Sequence, residues 1–173
     1  IKVLRPGIER AFQKDLDAFH FAANAIGILL PSSRRLRPAD VIAHFEGVVA
    51  GELDLRLEAA AASEFAMNTA EDEGFTLPNV RWKLSGRRVM TMGWAEGVNL
   101  SDVTAIEAAG HDRAELAKRV LQLFLNHALR DGYFHADMHH GNLKVAANGD
   151  IIAYDFGIMG HIDEYTRRVY AEI

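Results

Sequence analysis

Phe134-His135-Ala136-Asp137-Met138-His139-His140-Gly141-Asn142 is the stretch on which the fold turns, together with the run C-terminal to it: Leu143 to Ala147, the pair Asn148-Gly149, Asp150 to Tyr154, and Asp155-Phe156-Gly157. Asn-Gly between two apolar runs is a strong hairpin signal, because a type I′ turn needs positive φ at both central residues. A two-residue turn places Ala147 opposite Asp150, and hence Asn142 directly opposite Asp155, with Cβ atoms about 4.5 to 5.5 Å apart. One carboxylate and one amide oxygen at that separation suit a hard divalent cation such as Mg²⁺, whose remaining ligands are waters and phosphate oxygens. On the turn alone, an ordinary surface hairpin with polar ends is an equal reading.

The residues around the hairpin narrow the choice. Asp137 precedes Asn142 by five residues, the acid-to-Asn spacing of a kinase catalytic loop, and Asp155-Phe156-Gly157 is a D-F-G triplet. In that chemistry the first acid orients or accepts the nucleophile's proton, while the Asn and the second acid hold metal against phosphates. Lys2, in the strand-like setting Ile1-Lys2-Val3, would supply a cation for the α- and β-phosphates; a lone strand lysine also reads as an edge residue. Asp54 and Glu58 lie four apart, on one face of a helix, where like charges repel unless a cation comes between them, and Lys2 is a candidate. Glu52 has Arg56 four residues on, the spacing of an exposed helix pair.

Outward from these motifs the chain reads as helices and short strands. Ile8, Phe12, Leu16, Phe19, Ala23 and Ile26 recur at steps of three and four, the apolar face of a helix closed by Pro31. Asp40 is a candidate cap for a second helix that runs through Val41, Phe45, Val48, Leu55 and Ala59 to Ala62 and ends near Gly74. Phe75 to Val80, Arg81 to Leu84 and Arg87 to Trp94, with a turn at Ser85-Gly86, predict a meander of short strands. Asp112 and Glu115 form a capping box for a helix buried through Leu116, Val120, Leu123, Phe124 and Ala128 and stopped by Gly132. Asp163 to Ile173 reads as the first turns of another helix. The opening Ile1-Lys2-Val3-Leu4 reads as the tail of a strand, so a fragment of a longer protein is expected.

The composition is that of a globular domain: 173 residues, 49% hydrophobic and 25% charged. A formal charge of −5 does not favour an electrostatic grip on nucleic acid. With no cysteine there is no disulfide, thiolate zinc site or cysteine nucleophile in this sequence. The longest apolar stretch, Phe21 to Leu30, is too short to span a bilayer.

The assembled pattern resembles the UbiB-type atypical protein-kinase-like family associated with ubiquinone biosynthesis. The resemblance is carried by Lys2-Val3-Leu4-Arg5-Pro6-Gly7-Ile8, by Glu52-Leu53-Asp54 followed by Glu58-Ala59-Ala60, by Phe134 to Asn142, and by Tyr154-Asp155-Phe156-Gly157 with Gly160. It implies an α+β, two-lobed kinase-like fold, truncated at both ends, with a helical insertion in the N-lobe. Residues 1–93 would be the partial N-lobe and 94–173 the partial C-lobe. It also implies ATP or ADP with Mg²⁺ as cofactors. Lys2 would be the phosphate-binding lysine, with Glu58 or Glu52 as its ion-pair partner and Glu58 preferred; Asp54 belongs to the same cofactor-binding set. Asp137 would be the catalytic-loop acid, Asn142 and Asp155 the metal ligands, and Met90 to Gly97 the hinge passing the adenine. The implied activity is that of an ATPase or small-molecule kinase supporting quinone-lipid biosynthesis. It would work on the cytoplasmic or matrix side of an inner membrane, reached through parts outside these residues, with a quinone-precursor lipid and a biosynthetic complex as partners. The family's loop usually has proline where this chain has Met138 and His140, a departure that loosens the loop positioning Asp137.

Other readings start from the same residues. His135, Asp137, His139 and His140 could form a transition-metal cluster in a hydrolase. A kinase-like fold could bind nucleotide or lipid without turnover. A small-molecule kinase of the aminoglycoside or choline type shares the Asp-to-Asn spacing.

Overall fold

The computed structural model describes residues 1–29 and 35–172. In chain order the elements are β1 (Lys2–Val3), α1 (Ile8–Leu29), α2 (Pro38–Glu52), α3 (Leu55–Asn68), β2 (Phe75–Thr76), a 3₁₀ turn (Trp82–Leu84), β3 (Val89–Met90), β4 (Val98–Asn99), α4 (Val103–Ala108), α5 (Arg113–Asn126), a π turn (His127–Asp131), β5 (Tyr133–His135), β6 (Leu143–Val145), β7 (Ile151–Ala153), β8 (Met159–His161) and α6 (Glu164–Ala171).

α1 buries Leu16 and Ala23, seven residues apart. Phe19 stays about half exposed and meets Phe45 of α2 edge-on at 6.3 Å. Phe21, Ile28 and Leu29 on its outer side are exposed. The expected stop at Pro31 lies outside the described residues. The cap of α2 is not Asp40: the helix opens with Pro38 in its first turn after Arg37 at φ 49°, and Asp40 instead pairs with Arg37 at 2.5 Å. Proline fits here because its missing N–H is one the first helical turn leaves unpaired in any case.

The long helix expected from Asp40 to Gly74 is two helices. Asp54, in extended conformation, accepts the Arg56 N–H at 3.1 Å and caps α3. A carboxylate that satisfies the first free N–H groups of a new helix makes the break favourable. Leu55, Glu58, Ala59, Ala62 and Phe65 are thereby buried. Asp54 and Glu58 are therefore not two uncompensated charges on one helical face, and Arg56 pairs with Asp54, at 2.6 and 2.9 Å, rather than with Glu52. Arg56 holds the Asp54 carboxyl down at about 2.

The expected meander is only partly formed. The Arg81–Leu84 segment is a 3₁₀ turn, and β2 pairs in parallel with β7, far along the chain, because parallel partners cannot be joined by a tight turn. β1 pairs antiparallel with β3, setting Lys2 opposite Met90. The largest sheet has the order β2-β7-β6-β4, and β5 pairs with β8. Asp112 caps α5 through the N–H groups of Ala114 and Glu115, and Gly132, at φ 70°, ends the π turn that extends it. One core joins Leu55, Ala59 and Phe65 of α3 to Phe75, Met90, Leu116, Tyr133, Leu143, Ile151 and Phe156. No helix among the described residues is long and apolar enough to cross a membrane.

The hairpin register differs from expectation by one residue. Leu143 faces Ala153, Lys144 faces Ile152 and Val145 faces Ile151. The loop is three residues, Ala147 to Gly149: the Gly149 N–H donates to the Ala146 carbonyl at 2.9 Å, and the Ala146 N–H donates to the Asp150 carbonyl at 2.9 Å. Gly149 alone takes positive φ, at 90°. Asn148 favours this form by bonding Asp150 through both side-chain atoms, 2.8 Å to its carboxylate and 3.1 Å from its N–H. Asn142 is consequently opposite Tyr154, whose N–H donates to the Asn142 carbonyl at 3.3 Å, and Asp155 lies one residue past that pair.

Candidate active site

Lys2 joins three elements. Its Nζ lies 2.7 and 2.8 Å from the two Glu58 carboxylate oxygens and 3.3 Å from Asp155 Oδ1. β1 fixes the lysine and α3 the glutamate, while Asp155 comes just after β7 and is oriented by accepting the Gly157 N–H at 3.3 Å. Burial works against the Lys2 ammonium, but the hydrogen bonds and charges of Glu58, then of Asp155, outweigh it and raise its pKa. Burial pushes the Glu58 carboxyl up, and Lys2 only partly offsets this. Phe156 anchors the D-F-G turn: it is buried, 6.3 Å from the Phe65 ring and 5.9 Å from the His135 ring.

The Asp137 loop is tied internally. Asn142 Nδ2 donates to both the Asp137 carbonyl and its Oδ2, each at 3.1 Å. The Asp137 N–H donates to Nδ1 of the buried His135 at 3.1 Å, and the Gly141 N–H donates to His139 Nδ1 at 2.9 Å. The Tyr154 hydroxyl donates to the Gly141 carbonyl. Burial pushes the His135 imidazole down, and because its Nδ1 accepts the Asp137 N–H the ring proton sits on Nε2.

Between the strand carrying Lys2 and the β6–β7 hairpin lies a cleft of about 570 Å³. Lys2, Asp155 and the Met92–Ala95 segment line it, and so do Asn99, Lys144 and Tyr154. Of the stretch expected to form the hinge, Met92 to Ala95 faces the cleft, whereas Met90 is buried in the core. Gly97 packs on β6 so closely that a Cβ there would fall 2.5 Å from the Val145 carbonyl oxygen. Glu52 and Asp54 do not line the cleft; with Glu58, Phe156 and Gly157 they line a second cavity of about 250 Å³ between α2, α3 and the D-F-G turn. The sequence reading has Trp94 within the expected hinge and Tyr154 at the head of the D-F-G motif, but it does not single out Lys144. The signal for Lys144 is its place between Leu143 and Val145, where strand alternation turns it away from the core.

The donor set fits a hard cation better than a transition metal. Asn142 has committed Nδ2 and keeps its side-chain oxygen, and Asp155 supplies a carboxylate; Mg²⁺ needs only one or two such groups beside phosphate oxygens. Among the described residues no three His, Asp or Glu side chains converge as metal ligands. His135 and His139 each use Nδ1 to accept a backbone N–H, which leaves only Nε2 of either ring for a metal, and His139 Nε2 lies 3.6 Å from Asp137 Oδ2.

A buried glutamate paired with a strand lysine, an Asp–Asn loop and a D-F-G turn after a hairpin define a protein-kinase-like fold. Residues 1–173 match the ABC1 atypical kinase-like domain, and the chain belongs to that family. It is similar to proteins named probable protein kinase UbiB, 38% identical over 176 residues in Shewanella baltica strain OS155 and 35% identical over 178 residues in Xanthomonas euvesicatoria pv. vesicatoria. Each alignment covers 99% of this chain and 32% of the relative, so the chain spans about a third of their length. The solved structure of the Rv3197–erythromycin complex from Mycobacterium tuberculosis superposes with a TM-score of 0.72 at 25% identity, covering 92% of this chain and 39% of that one.

Proposed function

We propose that this chain is the nucleotide-handling part of an atypical kinase that binds ATP or ADP with Mg²⁺ in the 570 Å³ cleft and hydrolyses or transfers the terminal phosphoryl group. The observation that carries the reading is Lys2, held between Glu58 and Asp155 at the cleft wall. There it presents a fixed cation to phosphate oxygens. Asn142 and Asp155 would hold Mg²⁺, which supplies charge neutralisation on the phosphates. Asp137 accepts the proton of the attacking hydroxyl or water, and Asn142 holds its carboxylate in place through the 3.1 Å bond. The two lobes, 1–93 and 94–173, would meet at this cleft.

We propose in addition a role in ubiquinone biosynthesis, with a quinone-precursor lipid and a biosynthetic complex as partners at the cytoplasmic or matrix face of an inner membrane; membership of the family supports the biosynthetic role. The exposed Phe21, Ile28 and Leu29 of α1 support contact with an apolar surface. So does the sequence between Asp17 and Asp40, which has no acidic residue and contains Arg34, Arg35 and Arg37.

Ligand that binds only the native state raises the thermal midpoint. Mg²⁺ with ADP is expected to raise that of the protein, and Asp155→Asn to remove the Mg²⁺-dependent part and weaken Mg-nucleotide affinity about tenfold or more. Unchanged affinity in calorimetric titration of Asp155→Asn would count against the metal assignment. Stabilisation by Zn²⁺ alone, lost in a His135→Ala/His139→Ala double variant, would replace the reading with the metal-hydrolase one.

A further inference from the structure

The wall of the cleft near Met92–Ala95 has a cation that phosphoryl transfer does not use. β6 buries Leu143 and Val145 and turns Lys144 between them into the cleft. Lys144 Nζ donates to the Ala95 carbonyl at 3.0 Å, and it lies 5.0 Å from the Trp94 ring centroid and 5.6 Å from that of Tyr154. Both rings are within cation–π range, and Trp94 is 84% exposed, leaving its indole available for stacking.

The side chains of this wall have a one-sided hydrogen-bonding inventory. An ammonium group has three donors and no acceptor. By bonding Ala95, Lys144 occupies one lone pair of a carbonyl that could otherwise receive the amino group of a base. Asn99 shows the same bias: its Oδ1 already accepts from the Ser101 N–H at 3.0 Å and the Ser101 hydroxyl at 2.7 Å, while its Nδ2 faces the Tyr154 hydroxyl at 3.3 Å. The side chains here offer donors: the Asn99 oxygen already accepts twice, and the Ala95 carbonyl keeps one lone pair beside its bond from Lys144. An exocyclic amino group brought here meets donor against donor, whereas a carbonyl oxygen gains a charge-assisted hydrogen bond.

We propose that Lys144, flanked by Trp94 and Tyr154, is a base-recognition subsite that favours nucleobases presenting a carbonyl oxygen, so that 6-oxo purine nucleotides bind at least as well as adenine nucleotides. The proposal rests on the reading of the cleft as a nucleotide site and names the class of base it takes. A site built to hydrogen-bond one substituent discriminates against the analogue lacking it.

The test is calorimetric titration of the protein with Mg²⁺ and either IDP or ADP, whose purines differ at C6, oxo against amino, and at N1, which carries a proton in hypoxanthine and a lone pair in adenine. Wild type is expected to bind IDP at least as tightly as ADP. Lys144→Met, which keeps an apolar stem and removes the ammonium, is expected to weaken IDP about tenfold while changing ADP by less than about threefold. That retained ADP binding also reports an intact fold. An equal change for both nucleotides, or a wild type that binds ADP more tightly than IDP, would overturn the subsite and leave the nucleotide reading standing. Binding of neither nucleotide to wild type would overturn both.

Discussion

Asp137→Asn is expected to reduce turnover about 10²- to 10⁴-fold, the usual contribution of a positioned general base, while nucleotide affinity stays within about twofold. The asymmetry follows from where Asp137 sits. Its Oδ2 is bonded to Asn142 Nδ2, and the substitution leaves Lys2 and Asp155, which line the cleft, in place. The amide also preserves the local structure. Its side-chain oxygen can still accept the 3.1 Å bond from Asn142, and its N–H still donates to His135. What it loses is the capacity to accept a proton. Steady-state phosphate release measured beside titration of Mg-ADP separates the two effects. Parallel loss of binding and turnover would mean that Asp137 holds ligand rather than a proton, and undiminished turnover would remove it from the chemistry.

Phe65→Ala is expected to destabilise the protein by about 3–5 kcal/mol, the range for a buried aromatic truncated to alanine. Phe65 is fully buried, and four rings surround it: His127 at 4.9 Å, Phe75 at 5.7 Å, Tyr133 at 6.0 Å and Phe156 at 6.3 Å. The neighbours belong to the strand after α3, the π turn, β5 and the D-F-G turn, so no single side chain can move in to fill the void. The loss should reach the site as well. α3 carries Glu58, and Phe156 adjoins Asp155. Phe65→Leu keeps most of the volume and should cost about 1–1.5 kcal/mol or less. Urea unfolding of the three proteins checks the order, and a loss below about 1 kcal/mol for Phe65→Ala would show that the cluster repacks.

The His127 contact in that cluster is polar as well as aromatic. His127 Nε2 lies 2.9 Å from Asp72, which also takes two bonds from Arg130 at 2.6 and 2.9 Å. Arg130, then His127, hold the Asp72 carboxyl below its usual range, and burial pushes the His127 imidazole down. Spacing along the chain does not reveal these pairs, because the partners are 55 and 58 residues apart.

Elements with a local cause were legible in the sequence. Asp112 caps α5 because its own carboxylate reaches the next free N–H groups, and Gly132 ends that helical run because it tolerates positive φ. The order Lys2, Glu58, Asp137, Asn142, Asp155 was likewise sufficient to assign the kinase-like class, since the chemistry dictates residue types at set intervals. Long-range packing settled the rest. It split the second helix at Asp54, gave Asp54 to Arg56, and moved Asn142 from opposite Asp155 to opposite Tyr154 by adding one loop residue. It also turned Lys144 into the cleft beside Trp94. The physical reason is common to these cases. A cap or a glycine turn is settled by groups within a few residues, whereas the partner of a charge and the register of a hairpin depend on which distant surface the core presses against them.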